Sequence, residues 1–329
     1  MGLLSNLLGF RDGHADDGGP VRVRPAVEAE LEGALQLILS PPGASADAAA
    51  AREFLNFARE RGISFDGLHV AERGGRILWA ALPVVSPGRT MLILCPPGGV
   101  GKAPDGVGRE VIEAVCEAFG ANGVHLAQSL IDPQDAALER VFAEAGFTRM
   151  AELYYLHAQP PADDAMPALP PGMEWMTYEE SREEMFGRAV LESYKESLDC
   201  PALNGRREVG DVLAGHRATG QFDPSIWFLL REGGESLGVL LLSESLRADA
   251  VELVYVGLVP AARGRKLGEL MMRQALAVTA RRRQPRLCLA VDAENVPALK
   301  LYYRHGMRRV GSKLALMRDL RTSGASSGE

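Results

Sequence analysis

Two hydrophobic rhythms alternate along this chain, a helical one of about 3.6 residues and an extended one of two, and they succeed one another in the same order twice. In the first half, VRVRP (21 to 25) precedes an amphipathic run to about Leu39, a Pro-Pro-Gly break and a second helical run, DAAAAREFLNFARER. Strand patterns follow at LHVAER, RILWAALPVV and TMLILCPP, then a helix at VGREVIEAVCEAFG, a strand at VHLAQSLI, a helix at QDAALERVFAEAG and a strand at RMAELYYLHA. The second half repeats this with EWMTY, helices around SREEMFGRAVLESY and REVGDVLAGHRAT, and strands IWFLLRE, SLGVLLLSES and AVELVYVGLVP. It closes with helix GRKLGELMMRQALAVTARR, strand RLCLAVD, helix VPALKLYYRHG and strand LALMRDL.

The repeated order βααβββαβαβ predicts a tandem duplication of one α/β fold, each copy a mixed sheet flanked by helices. Between the copies, HAQPPADDAMPALPPG (157 to 172) is proline-rich and aperiodic, which predicts an extended linker over 159–172. The expected domains are therefore 20–158 and 173–320, with disordered ends at 1–19 and 321–329.

Composition narrows the class. With 329 residues, 47% of them apolar and 24% charged, the chain suits two soluble globular units. A net charge of −7 argues against nucleic acid or anionic membrane as partners. No run approaches the 18 or so apolar residues of a membrane helix, and the start MGLLSNLLGFRDGHADDGG lacks a basic leader region, so a cytoplasmic location is expected. Cys95, Cys116, Cys200 and Cys288 form no CxxC pair; Cys200, in the loop LDCPALNG, is the one expected outside a core. His69, His125, His157, His216 and His305 show no ligand spacing, and no metal is expected.

The chemistry-bearing stretch is AVELVYVGLVPAARGRKLGELMMRQAL, a strand, a turn holding Arg263, Gly264, Arg265 and Lys266, and a helix opening at Leu267 and Gly268. Free N–H groups and the positive dipole end of a helix beside three cations make an anion site that fits a pyrophosphate. This loop resembles the pyrophosphate-binding Q/R-x-x-G-x-G/A pattern of the GNAT superfamily, with Lys266 where the first Gly is expected. At a helix start, right-handed geometry would suit Lys266 and add a cation.

Further on, Asn295, Ala298, Tyr302, Gly306 and Met307 match the superfamily's N-x-x-A-x-x-L-Y-x-x-x-G-F signature, with Met for the final Phe. The resemblance implies an N-acyltransferase using acetyl-CoA. It implies that Asn295 binds the pantetheine arm and that Tyr302 lies by the thioester sulfur and protonates the departing thiolate. It also implies that the strand backbone at Val256, Leu258 and Val259 lines the pantetheine, in a splay between this strand and LCLAVD. An acceptor amine is protonated at neutral pH and needs a proton acceptor. Glu252, eleven residues before Arg263 among apolar Val251, Leu253 and Val254, takes that role by resemblance; a strand residue on a wet face is the alternative.

The first half ends its elements similarly, with Ala137, Gly146 and Phe147 in signature positions. However, CPPGGVGKAPDGVGREV has no Q/R-x-x-G-x-G, and Val141 or Phe142 stands at the Tyr position. This half is expected not to catalyse transfer. GGVGK is not a P-loop, since Pro96 replaces the first Gly and no Ser or Thr follows Lys102. The acceptor, a small-molecule amine by expectation, should meet residues 192 to 224, with Glu192, Tyr194, Cys200 and Arg206 as candidate contacts. A non-catalytic acyl-CoA-binding protein and a transferase of another acyl group, such as aminoacyl from tRNA, remain as alternatives.

Overall fold

The computed structural model describes residues 19–40, 48–60, 64–98, 103–162, 165–201, 208–245 and 249–321. Residues 1–18 and 322–329 of the expected tails, Lys102 and Arg206 lie outside these ranges.

The first half runs β1 (Arg22–Pro25), α1 (Leu31–Leu39), α2 (Ala48–Glu60), β2 (His69–Arg73), β3 (Arg76–Ser86) and β4 (Thr90–Leu94). It continues with α3 (Val107–Ala121), β5 (Leu126–Ile131), α4 (Ala136–Glu144) and β6 (Thr148–Ala158). The second half repeats the order as β7 (Met173–Thr177), α5 (Glu183–Tyr194), α6 (Val209–Arg217), β8 (Trp227–Glu232), β9 (Glu235–Glu244) and β10 (Val251–Leu258). Then come α7 (Leu267–Arg281), β11 (Leu287–Asp292), α8 (Val296–Arg304) and β12 (Arg308–Asp319). Local sequence explains the elements. Helix α1 buries Leu31, Ala34, Leu35 and Ile38, the i, i+3, i+4, i+7 stripe. Strand β9 buries every residue from Leu237 through Ser243, the continuous run of a strand covered on both faces. No helix among the described residues is long and apolar enough to cross a membrane.

All twelve strands form one mixed sheet in the order β1-β2-β3-β4-β5-β12-β6-β11-β10-β9-β8-β7. The two halves exchange their last strands: β12 pairs with β5 from Leu314↔Ile131 to Asp319↔Leu126, and β6 pairs with β11 from Leu287↔Ala158 to Asp292↔Leu153. Packing follows pairing. Leu314 and Leu316 of β12 lie in the first half's core with Trp79, Val111 and Phe142, while Leu156 and Ala158 of β6 lie in the second half's core with Leu253, Met272 and Leu289.

Strand β12 begins at Arg308, six residues before the expected start at Leu314. The polar stretch RRVGSK shows no alternation, yet it is extended because β6 pairs along it from Arg308↔His157 to Lys313↔Leu153.

Candidate active site

Strands β10 and β11 are parallel neighbours, but they pair only at Val251↔Leu287 and Glu252↔Cys288. Beyond that point β11 pairs with β6 alone, so the two strands part and the β11-facing edge of β10 has no ladder partner. The register of β10 against β9 shifts between Leu253 and Tyr255, placing Val254 and Tyr255 together in the core under α5 and α6. A bulge of this kind turns backbone N–H and C=O groups out of the ladder. This one lies on β10 just past its last pair with β11, where the splay opens a gap.

A cleft of 310 Å³ fills the gap, lined by Leu253 to Leu258 of β10, Arg263, Gly268, Ala290, Asn295, Ala298, Tyr302 and the turn after α5. Of the sequence candidates, Val256, Leu258, Arg263, Gly268, Asn295, Ala298 and Tyr302 therefore come together. Asn295 caps α8, its Oδ1 accepting from Ala298 N–H at 3.3 Å, which leaves its amide N–H groups for the cleft. Tyr302 is 6% exposed; burial, reinforced by Asp199, raises its pKa, so the hydroxyl is a proton carrier rather than a phenolate.

At the mouth of the cleft, the N–H groups of Gly264 through Gly268 have no main-chain partner among the described residues. They sit at the positive end of a 15-residue helix. The three cations divide. Arg265 pairs with both oxygens of Glu232 at 2.9 Å. Arg263 donates to the carbonyls of Leu258, Ser193, Lys195 and Glu196, tying the C-terminal end of α5 to β10. Only Arg265 has an anionic partner among the described residues, and no side-chain hydrogen bond or ion pair engages Lys266 there. Its geometry corrects the expectation of right-handed backbone, since φ is 60° and ψ 15°, in the left-handed region that favours glycine. The position still has the backbone shape of the Gly it replaces.

Several candidates lie elsewhere. Glu252 lines an adjacent 520 Å³ pocket with Tyr155, His157, Cys288 and Val310, which shares Leu253, Val254 and Ala290 with the cleft. Val259 and Glu192 face a different depression, and Glu192 pairs with Lys195 at 2.6 Å. Tyr194 packs edge-on against Tyr255 and shares a 3.3 Å hydrogen bond with His216 Nε2, outside the cleft lining. Cys200 has its thiol pushed up to about 12 by burial and by Asp199 and Asp292, so it is not a thiolate at neutral pH.

The residues missed in the sequence are Ser193, Tyr255 and Asp199. Tyr255 Oη and Ser193 Oγ are 2.8 Å apart. They approach because Gly257 has no Cβ, which would lie 2.5 Å from Ser193 Oγ. Asp199 lines the cleft, and its carboxyl is raised by burial first and by Asp292 second, with the Asp292 main-chain N–H pulling the other way. No motif covers these positions. For Ser193 and Asp199 the signal is that residues 192 to 224 should wall the acceptor side; Tyr255 lies outside that span.

In the first half, the equivalent turn before α3 keeps Gly106 at φ 84° as N-cap, followed by Val107 and Gly108. The Gly-x-Gly of the loop thus survives there, a match the sequence pattern alone did not reveal, with Ala103 at the Arg position. Asp135 caps α4 as Asn295 caps α8, and it also accepts from Gly98 N–H at 2.5 Å. Counting seven residues from each cap places Phe142 opposite Tyr302. Phe142 is fully buried against Phe147 and offers no hydroxyl.

Residues 188–307 match the model of the acetyltransferase (GNAT) family. The mycothiol acetyltransferase of Streptomyces griseus is 30% identical over 150 residues, 44% of this chain and 46% of that protein. That of Tsukamurella paurometabola is 26% identical over 259 residues, 74% of this chain and 83% of the relative. The alignment to the first of these spans about half the relative's length. Among solved structures, a GCN5-related N-acetyltransferase from Sphaerobacter thermophilus superposes with a TM-score of 0.61 at 19% identity, covering 92% of this chain and 96% of that one. A tandem GNAT protein from the clavulanic acid biosynthesis pathway, without AcCoA, gives 0.52 at 16% identity over 92% and 99%. Both likenesses are of fold.

Proposed function

We propose that the protein, whose residues 188–307 match the model of the acetyltransferase (GNAT) family, transfers an acetyl group from acetyl-CoA to the primary amine of a small molecule, by direct attack in a ternary complex. The observation that carries this reading is the meeting, in one cleft, of a splayed β10 edge, the helix start at Gly268, Asn295 and Tyr302. The curated relatives' names tie acetyl transfer to mycothiol, which supports a small acceptor. The tandem arrangement, a diverged repeat before an intact one, resembles mycothiol synthase in the same sense.

Acetyl-CoA supplies the activated thioester. The N–H groups of Gly264 to Gly268, with Lys266, suit its phosphates; Asn295 and the free β10 edge at Val256 to Leu258 suit its pantetheine amides. Tyr302 protonates the leaving thiolate. For the amine's proton, Glu252 borders the cleft from the neighbouring pocket and Asp199 lines the cleft itself. The boundaries 20–158 for a scaffolding GNAT-like unit and 173–320 for the catalytic one belong to the same proposal, supported by Phe142 at the tyrosine position.

Calorimetric titration of acetyl-CoA tests it. A Cβ on Gly268 would already lie 3.1 Å from Leu301, and Gly268→Glu adds an anion at the phosphate mouth. Saturable binding to the wild type and none to the variant is expected, with thiol release when amines are added. Binding without release for any amine would leave a CoA-binding protein and refute transfer.

A further inference from the structure

The turn after α5 is held in an unusual way. Glu196 and Cys200 both have positive φ, 54° and 45°, without being glycine. Such residues persist only where surrounding contacts over-determine them. Here Arg263 grips the carbonyls of Ser193, Lys195 and Glu196 on one side of the turn. On the other, Cys200 N–H donates to Asp292 Oδ2 at 3.3 Å. Between these two anchors, Asp199 is carried into the cleft that also contains Tyr302.

The groups acting on Asp199 are anionic or neutral, since Arg263, which lines the same cleft, spends its donors on main-chain carbonyls. Facing it are Cys200 from its own turn, Tyr255 from β10, Asp292 from β11 and Tyr302 from α8. Asp292 is itself 3% exposed, and its oxygens are taken by the N–H groups of Glu294 and Cys200. No cation pairs with Asp199 among the described residues. A half-buried carboxylate with no cation beside it is suited to a cationic ligand that completes it. The complementary ligand is an ammonium.

We infer that Asp199 binds the acceptor as a cation, its protonated primary amine, and takes the proton that makes it a nucleophile. This rests on the acetyl-transfer reading and assigns its acceptor class and base. An N–H bond of the ammonium breaks and the proton passes to the Asp199 carboxylate. The freed lone pair forms the N–C bond to the acetyl carbonyl carbon as the C–S bond breaks. The thiolate takes the Tyr302 proton, Tyr302 regains one from the new amide nitrogen, and Asp199 releases its own to solvent. Burial raises the Asp199 carboxyl toward a range where this exchange is easier.

The test uses two acceptors of the same shape and different charge, ethylamine and methoxyamine. The first is a cation at pH 7, and the second is neutral. Acetyl transfer to each is measured with saturating acetyl-CoA and the spontaneous reaction subtracted, for the wild type and Asp199→Asn. The expected loss is about 10- to 100-fold in kcat/KM for ethylamine, the range of a charge-assisted hydrogen bond. Methoxyamine should change by less than a third of that, and formate should restore ethylamine turnover in Asp199→Ala.

A second readout is thermal. For an acid whose folded pKa is raised, stability falls as pH rises through the interval above its ordinary value. Asp199→Asn should therefore melt no lower than the wild type at pH 7, with any gain vanishing below about pH 4. Equal losses for both amines, a lower melting temperature, or an unchanged ethylamine rate would overturn the inference. So would a wild type that binds acetyl-CoA and acetylates neither amine. Absence of acetyl-CoA binding would instead sink the parent reading.

Discussion

Lys266 sits where the loop needs a backbone that lysine disfavours, and two opposing magnitudes set the effect of replacing it. A side chain in the left-handed region costs about 1–2 kcal/mol. Glycine's greater freedom in the unfolded chain takes back about 0.5–1 kcal/mol. Lys266→Gly should therefore stabilise the protein by about 0.5–1 kcal/mol in urea unfolding. It should also weaken acetyl-CoA binding, because it removes the one loop cation whose side chain has no partner among the described residues. Gly264 separates strain from crowding. Its φ is 77° with nothing within 4 Å of an added Cβ, so Gly264→Ala should lose about 1 kcal/mol from conformation alone. An unchanged midpoint would mean that the loop adapts. The residues of both motifs could be read from the sequence because their spacing is local: one turn before a helix, one cap and the seven residues after it. Asp199 could not, since its role depends on Asp292 and Tyr302, roughly a hundred residues away.

At the scale of elements, Arg263 joins β10 to the end of α5 and the turn after it. Its guanidinium serves four carbonyls, of Leu258, Ser193, Lys195 and Glu196, at 2.6 to 3.3 Å. Lysine has three donors on a point charge and cannot span that fan. Arg263→Lys should cost about 1–2 kcal/mol after discounting the exposed contacts. It should also speed amide exchange through Glu196–Pro201, the turn that carries Asp199 into the cleft. Faster exchange confined to the loop 264–268 would show instead that this arginine holds only its own loop. Nearly every helix and strand was legible from its hydrophobic pattern, because each buries one stripe, one face or, as in β9, both faces. The exception is the first half of β12. The sequence RRVGSK has no apolar face, and what extends it is a partner strand from the other repeat.

That partnership governs the whole molecule. A duplication predicts two self-contained sheets, and hydrophobic pattern cannot distinguish β6 from β12 as the neighbour of β5, since both are final strands of like composition. The sheet order settles it in favour of exchange: β12 completes the first half's core with Leu314 and Leu316, and β6 completes the second with Leu156 and Ala158. A protease site inserted in the linker between β6 and β7 should therefore yield two fragments that elute as one particle and unfold in one transition. Fragments 19–162 and 165–321 made separately each lack the strand that covers β5 or β11. Each would expose an edge and an apolar strip, and should aggregate or fail to fold. The informative failure is a first fragment that folds alone with native stability. In that case β6 can return to the edge of β5, the energies of exchanged and unexchanged pairing are close, and the exchange is a consequence of the linker rather than of the strands.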